Sequence, residues 1–103
     1  MINRFSLKNK NIIITGGAGF LAKFHIKALI EKQGTIIAID KNKNSIIKQK
    51  KFFYNKKNIY FYECDITNNK DLISLNKKIL KKFKKIDVLI NNAFNDYKII
   101  KDK

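Results

Sequence analysis

A glycine-rich segment at residues 15–22 reads Thr15-Gly16-Gly17-Ala18-Gly19-Phe20-Leu21-Ala22. The β-branched run at residues 12–15 is typical of a buried strand, and residues 20–32 place apolar side chains at helical spacing. A turn from a strand into a helix leaves the first N–H groups of the helix free, and the helix dipole favours an anion there. Glycines also mark plain turns, but a strand before and a helix after this one favour a phosphate site.

Three positions of the turn have separate expected roles. Gly16 allows a tight turn, and Gly19 lets a pyrophosphate approach the backbone without meeting a Cβ atom. Ala22 is small enough for the helix to pack closely on the strand. This division of roles is the one that a dinucleotide-binding turn requires.

The rest of the sequence alternates between the same two patterns. Further strands are predicted at residues 35–40, 58–64 and 86–91, and further helices at residues 42–54 and 68–85. The strands are continuous apolar runs, as in a parallel sheet that helices cover on both faces. With right-handed crossovers, the order β-α-β-α-β-α-β gives an α/β fold, a Rossmann-like doubly wound sheet. We expect a single domain over residues 1–103, incomplete at its C-terminus.

Two of the predicted helices have apolar stripes that indicate which face is buried. In the first helix the stripe comprises Leu21, Phe24, Ala28 and Leu29. In the last helix it comprises Leu72, Leu75, Ile79 and Phe83. We expect both stripes to pack against the sheet.

Asp40 ends the second predicted strand, 21 residues after Gly19. A carboxylate at this position can accept hydrogen bonds from both ribose hydroxyls of an adenosine. It would repel a 2′-phosphate, so NAD is expected over NADP, although Lys41 and Lys43 oppose that preference. The alternative is an ordinary solvated aspartate at a strand end, and the spacing from the turn favours the ligand.

The charge balance is strongly basic, with 23 basic against 8 acidic residues and a net charge of +15. Such a charge is typical of proteins that bind nucleic acid or an anionic membrane surface. Lysine supplies 22 of the basic residues, however, and arginine, which binds phosphates and bases in a bidentate manner, occurs only at Arg4. A general compositional bias toward lysine therefore explains the charge better than a nucleic-acid surface does.

The chain has one cysteine, Cys64, and one histidine, His25. These exclude a disulfide within the chain and a zinc site built on cysteines, so no metal site is predicted. The apolar runs reach about four residues, far short of a membrane-spanning segment of roughly 18, and no secretory signal is evident. We expect a cytoplasmic protein with no membrane partner.

Three stretches together resemble the short-chain dehydrogenase/reductase family. Residues 15–22 are similar to its TGxxxGxG or TGxxGxxG turn, residues 64–67 to its acidic position after the third strand, and residues 89–93 to its NNAG segment. The resemblance implies that Asp65 contacts the adenine. The cofactor-binding residues that follow from the turn, from Asp40 and from the resemblance are Thr15, Gly16, Gly17, Ala18, Gly19, Phe20, Leu21, Asp40, Asp65, Ile66, Asn91, Asn92 and Ala93.

The sequence also departs from the family pattern. The spacing of Gly16, Gly19 and Ala22 is closer to the branch that acts on sugar nucleotides, and Phe94 replaces a glycine, so a sugar or sugar-nucleotide substrate is expected. The family's catalytic Ser and Tyr-x-x-x-Lys would lie beyond residue 103, which indicates a fragment or truncated reading frame. Tyr97 and Lys101 match Tyr-x-x-x-Lys formally but follow the fourth strand too closely. No residue is predicted to be catalytic.

Three functions are consistent with these observations. The leading one is the NAD(P)-binding part of an oxidoreductase that moves hydride between a nicotinamide and a carbonyl or alcohol. The second is a nucleotide-binding module without chemistry, and the third is a basic nucleic-acid-binding protein on a Rossmann-like scaffold. The fourth strand would leave an open apolar edge, so self-association is also expected.

Overall fold

The computed structural model describes residues 6–92, which form a four-stranded parallel sheet with helices between its strands. The strands are β1 (Asn11–Thr15), β2 (Thr35–Asp40), β3 (Ile59–Glu63) and β4 (Val88–Asn91). The helices are α1 (Phe20–Glu31), α2 (Lys43–Phe52) and α3 (Asn69–Phe83). The strand order is β3-β2-β1-β4, and every pairing is parallel. The predicted α/β fold is confirmed, with element ends that differ from the expected ones by one or two residues.

Both faces of the sheet are covered, which explains the continuous apolar runs in β1 and β2. Along β1, Ile12 and Ile14 pack on one side of the sheet and Ile13 packs on the other. Ile36 and Ile37 of β2 divide in the same way, and both are fully buried. Burial of each such side chain contributes roughly 1.5–3 kcal/mol. The central strands therefore hold the two helical layers together.

The predicted buried face of α1 is wrong except at Leu29. Leu21 and Phe24 are 50% and 54% exposed, whereas Ala22 and Ile26 are fully inaccessible to solvent. The α1 sequence contains two apolar stripes, and only one of them can face the sheet. Because the turn before α1 is short, its first residues lie close to the strands, where the small side chain of Ala22 is fully buried against Ile12 and Ile14.

The predicted face of α3 is confirmed, with Leu75 and Ile79 buried in the core. The helix begins after Asn68, whose side-chain oxygen accepts a hydrogen bond of 3.1 Å from the N–H of Asp71. Its other end is joined to β1, since the Asn11 side chain donates to the carbonyl of Phe83 at 3.2 Å. The N–H of Asp87 donates to the carbonyl of Asn11 at 2.9 Å, which places the start of β4 beside β1. None of the helices within residues 6–92 is both long and apolar enough to cross a bilayer.

Candidate functional site

A cavity of about 490 Å³ opens at the carboxyl ends of the strands, where parallel α/β sheets bind their ligands. Lys41 forms part of its rim. The predicted site residues that line it are Gly16, Gly19, Phe20, Leu21, Asp40, Asp65, Ile66 and Asn92. The other predicted residues, Thr15, Gly17, Ala18 and Asn91, do not line the cavity and lie in the adjoining turn and strand ends. Ala93 lies outside the described residues, as do Tyr97 and Lys101.

The glycine turn has the backbone geometry that the sequence predicted at Gly16. This residue has φ 65°, in the left-handed region that favours glycine, and its carbonyl accepts a hydrogen bond of 3.0 Å from the N–H of Gly19. Gly19 is the N-cap of α1, with no side-chain cap and no acidic residue in the first helical turn. The positive end of α1 therefore lies at the cavity, and the first turn of the helix itself carries no acidic side chain.

Gly17 and Gly19 are needed for different reasons. A Cβ atom at Gly17 would lie 2.6 Å from the Cβ and 2.9 Å from the Cα of Ala38, so the turn packs directly on β2. A Cβ atom at Gly19 would approach only the carbonyl oxygen of Gly16, at 3.2 Å, and otherwise meets open space. Gly17 thus serves the packing of the turn, and Gly19 leaves room on the cavity side.

Asp40 lines the cavity and is also bonded to the turn. One carboxylate oxygen accepts a hydrogen bond of 3.0 Å from the N–H of Ala18, and the other accepts one of 2.9 Å from the N–H of Asn42. Each carboxylate oxygen has a second lone pair, so the group can still accept from a ligand hydroxyl. The contact with Ala18, which was not foreseen from the sequence, holds the carboxylate beside the turn.

Asp65 and Cys64 form the wall of the cavity after β3. The hydroxyl and N–H groups of Thr67 donate to one Asp65 oxygen at 2.6 Å and 3.0 Å, and these bonds lower the pKa of Asp65. The carboxylate is therefore a fixed acceptor at neutral pH. Burial raises the pKa of the Cys64 thiol, which keeps it protonated and makes it a small apolar part of the wall.

Thr15 joins the ends of β1 and β4 at the base of the site. Its hydroxyl donates to the Asn91 side-chain oxygen at 2.8 Å and accepts from the N–H of Asn92 at 3.1 Å. Thr15 is buried, so both bonds form away from bulk water. Within the described residues, Thr15 and Asn91 thus position the strand ends, while Asn92 reaches the cavity.

We expect Thr15→Val to lower the free energy of unfolding by about 1–3 kcal/mol, because two hydrogen bonds worth about 0.5–1.5 kcal/mol each are lost with little change in volume. Urea unfolding followed by circular dichroism measures the change. Thr15→Ser, which keeps the hydroxyl, is the matched control and should lie closer to wild type. A valine variant as stable as wild type would show that this junction does not hold β4.

Gln49 of α2 belongs to the site and was missed in the sequence. It is only 4% exposed, and its side-chain amide donates to the carbonyls of Gly17 and Gly19 at 3.2 Å and 3.5 Å. The available signal was its spacing, since Gln49 lies between Ile46 and Phe53 at positions that face the sheet. A polar residue in such a stripe indicates a buried hydrogen-bond partner.

Comparisons with known proteins agree with this geometry. Residues 10–97 match the family model described as short chain dehydrogenase. The chain is 32% identical over 88 residues to the short chain dehydrogenase/reductase dpfgG of Gibberella zeae, covering 85% of this chain and 33% of that protein. An uncharacterized oxidoreductase of Saccharomyces cerevisiae is 31% identical over 86 residues, with 84% of this chain and 27% of that protein covered. The chain thus spans about a third or less of the length of these curated relatives.

Solved structures show the same arrangement of elements. An NAD+-bound xylitol dehydrogenase superimposes with a TM-score of 0.77 at 27% identity, covering 84% of this chain and 34% of that one. The four parallel strands with interleaved helices match the fold expected from the sequence, and the family model extends over most of the chain. The chain belongs to the short chain dehydrogenase family.

Proposed function

We propose that this chain binds an NAD(P) cofactor in the cavity at the carboxyl ends of its strands, as the cofactor-binding part of an oxidoreductase. The observation that carries the proposal is the convergence of three features on one cavity: the uncapped start of α1 at Gly19, the carboxylate of Asp40 and the carboxylate of Asp65. A relative with 27% identity has been solved with NAD+ bound. In the complete enzyme the cofactor would exchange hydride with a carbonyl or alcohol.

Each part of the dinucleotide has a matching group in the cavity. The pyrophosphate is assigned to the turn at Gly16 and Gly19, where helix N–H groups and the dipole favour negative charge. The adenosine ribose is assigned to Asp40, whose remaining lone pairs can accept from both hydroxyls. The adenine is assigned to Asp65 and the apolar Ile66 beside it.

No residue is assigned to proton transfer, so the proposal concerns binding. Calorimetric titration with NADH tests it, and we expect saturable one-to-one binding. Absence of heat and of any change in NADH fluorescence up to millimolar concentration would contradict the proposal. A nucleotide-binding module without chemistry would bind equally well, and it differs in producing no turnover of reduced nicotinamide with any alcohol or carbonyl in the complete protein.

We expect NADH to bind more tightly than NADPH. Asp40→Asn should reduce the ratio of the NADH affinity to the NADPH affinity at least about tenfold. The carboxylate repels a 2′-phosphate, whereas the amide does not and still offers one oxygen to the backbone N–H of Ala18. The exposed lysine at position 41 then favours the phosphate, with Asp65 as the remaining carboxylate of the cavity. Titration of both proteins with both cofactors measures the ratio.

Glu63→Gln is the matched control for Asp40→Asn. Glu63 lies opposite Asp40 in the sheet and is exposed, and it does not line the cavity assigned to the cofactor. The Glu63→Gln substitution removes one negative charge from the same end of the sheet as Asp40→Asn does. If both variants change the NADH to NADPH ratio equally, net charge alone sets the preference and Asp40 does not face the ribose.

Self-association of the chain stays a prediction, and the edge at β4 is where we expect it. Val88 and Leu89 are 40% and 65% exposed, and β4 lies at the end of the strand order. An exposed apolar edge strand is a template for pairing with another chain. Sedimentation velocity should show concentration-dependent association that Leu89→Lys reduces. A monomer at every concentration would contradict it.

The substrate class is a separate part of the proposal. A sugar or sugar nucleotide stays the prediction, since it rests on the glycine spacing and on Phe94, which lies outside the described residues. A solved relative at 27% identity, with a TM-score of 0.78 and covering 86% of this chain and 34% of that one, is 2-keto-3-deoxy-D-gluconate dehydrogenase from Streptococcus agalactiae. Sugar acids are therefore included in the substrate panel for the complete enzyme.

A further inference from the structure

The Gln49 side-chain amide connects α2 to two carbonyl groups of the glycine turn. Its nitrogen lies 3.2 Å from the Gly17 oxygen and 3.5 Å from the Gly19 oxygen, and the residue is 4% exposed. A buried amide without partners would cost free energy, and both of its donor contacts go to carbonyls of the turn. The Gly19 carbonyl also accepts the first hydrogen bond of α1, from the N–H of Lys23 at 3.3 Å, so the shorter contact with Gly17 is the one through which Gln49 chiefly orients the turn.

The two peptide groups that Gln49 contacts have N–H groups with different partners. In a trans peptide the carbonyl and the N–H point in opposite directions. The peptide after Gly17 carries the N–H of Ala18, which donates to Asp40 at 3.0 Å, so this peptide is held from both sides. The peptide after Gly19 carries the N–H of Phe20, the first residue of α1 and part of the cavity lining.

We propose that Gln49 is a positioning residue for the cofactor phosphates. At Gly19 its longer contact adds to the hydrogen bond from the N–H of Lys23, which already orients this carbonyl and, with it, the N–H of Phe20. By holding the Gly17 carbonyl, it keeps the Ala18 N–H on Asp40 and the turn in one conformation. The inference rests on the proposed binding of NAD(P) at this turn and adds a group that touches the protein backbone but not the ligand.

Gln49→Leu removes the donor while keeping a side chain of similar size in an apolar setting. We expect NADH and ADP, which carry the pyrophosphate, to bind about tenfold more weakly, since a tenfold change corresponds to 1.4 kcal/mol, the scale of one or two neutral hydrogen bonds. Adenosine, which lacks phosphates, should bind the variant and the wild type alike, because Asp40 is also held by the N–H of Asn42 at 2.9 Å. Calorimetry measures NADH and ADP, and chemical-shift titration measures adenosine.

Gln49→Met is measured beside the leucine variant, because its flexible thioether fills the site without branching or donating. Equal affinity of wild type and both variants for NADH would overturn the positioning role and leave the proposed cofactor function intact. Equal weakening of ADP and adenosine, or unfolding of both variants, would assign Gln49 to the fold alone and would also overturn it. Failure of the wild type to bind NADH would instead reject the proposed function itself.

Discussion

Gly19→Val is expected to abolish measurable NADH binding while the chain stays folded. A Cβ atom at this position would lie 3.2 Å from the Gly16 oxygen and meet nothing else within 4 Å, so the turn must give by only a few tenths of an ångström, and the rest of the valine side chain would occupy the space assigned to the pyrophosphate. The backbone at Gly19 has φ −79° and ψ 169°, an extended conformation that valine adopts readily. We therefore expect a loss of at least a hundredfold in affinity by calorimetry, with an unchanged far-ultraviolet circular dichroism spectrum.

Gly19→Ala provides a graded comparison with the valine variant. Its single methyl group should weaken NADH less than valine does, because less of the phosphate space is filled. The thermal midpoints of both variants should stay near that of wild type. A valine variant that binds NADH as tightly as wild type would show that the phosphates do not approach the backbone at this position.

Gly17→Ala, in contrast, is expected to cause a large loss of stability. Its Cβ atom would lie 2.6 Å and 2.9 Å from the Cβ and Cα atoms of Ala38, so the turn must move away from β2. One of those contacts is with backbone, which cannot rotate aside. Overpacking of this kind typically costs about 1–3 kcal/mol, and we expect the upper part of that range in the free energy of unfolding.

Chemical denaturation of Gly17→Ala and Gly19→Ala side by side separates packing from binding. Both variants add one methyl group, two residues apart in the same turn. Adding Ala38→Gly to Gly17→Ala removes the nearer contact and should recover part of the lost stability. If Gly17→Ala is as stable as Gly19→Ala, the close packing of the turn on β2 is not a real constraint on the fold.

The fold and the place of the site were predictable because both depend on local patterns. Continuous β-branched runs such as residues 12–15 occur where both faces of a strand are covered, and the strands confirm this. The carboxyl ends of parallel strands meet at one edge, so residues 16, 40 and 65 were expected together despite their distance in sequence. The cavity brings all three to one lining.

Features that depend on contacts between helices and the turn were not predictable. α1 has two apolar stripes, and only the depth of packing at Ala22 selects the one that is buried. Gln49 is about 30 residues from the carbonyls that it holds, and no sequence spacing relates the two. The bond between Asp40 and Ala18 likewise arises from the approach of two strand ends. Each depends on tertiary geometry that periodicity does not encode.

The central claim is that the dinucleotide phosphates lie at the start of α1 and the adenosine lies between Asp40 and Asp65. Chemical-shift titration of the isotope-labelled chain with NADH tests it most directly, because every backbone N–H of residues 16–20 reports separately. The account predicts saturable shifts at the N–H groups of Gly19 and Phe20 and at residues 65–66, with no shift along α3. Shifts confined to other surfaces, such as the lysines of α3, or no saturable shift at all, would contradict it.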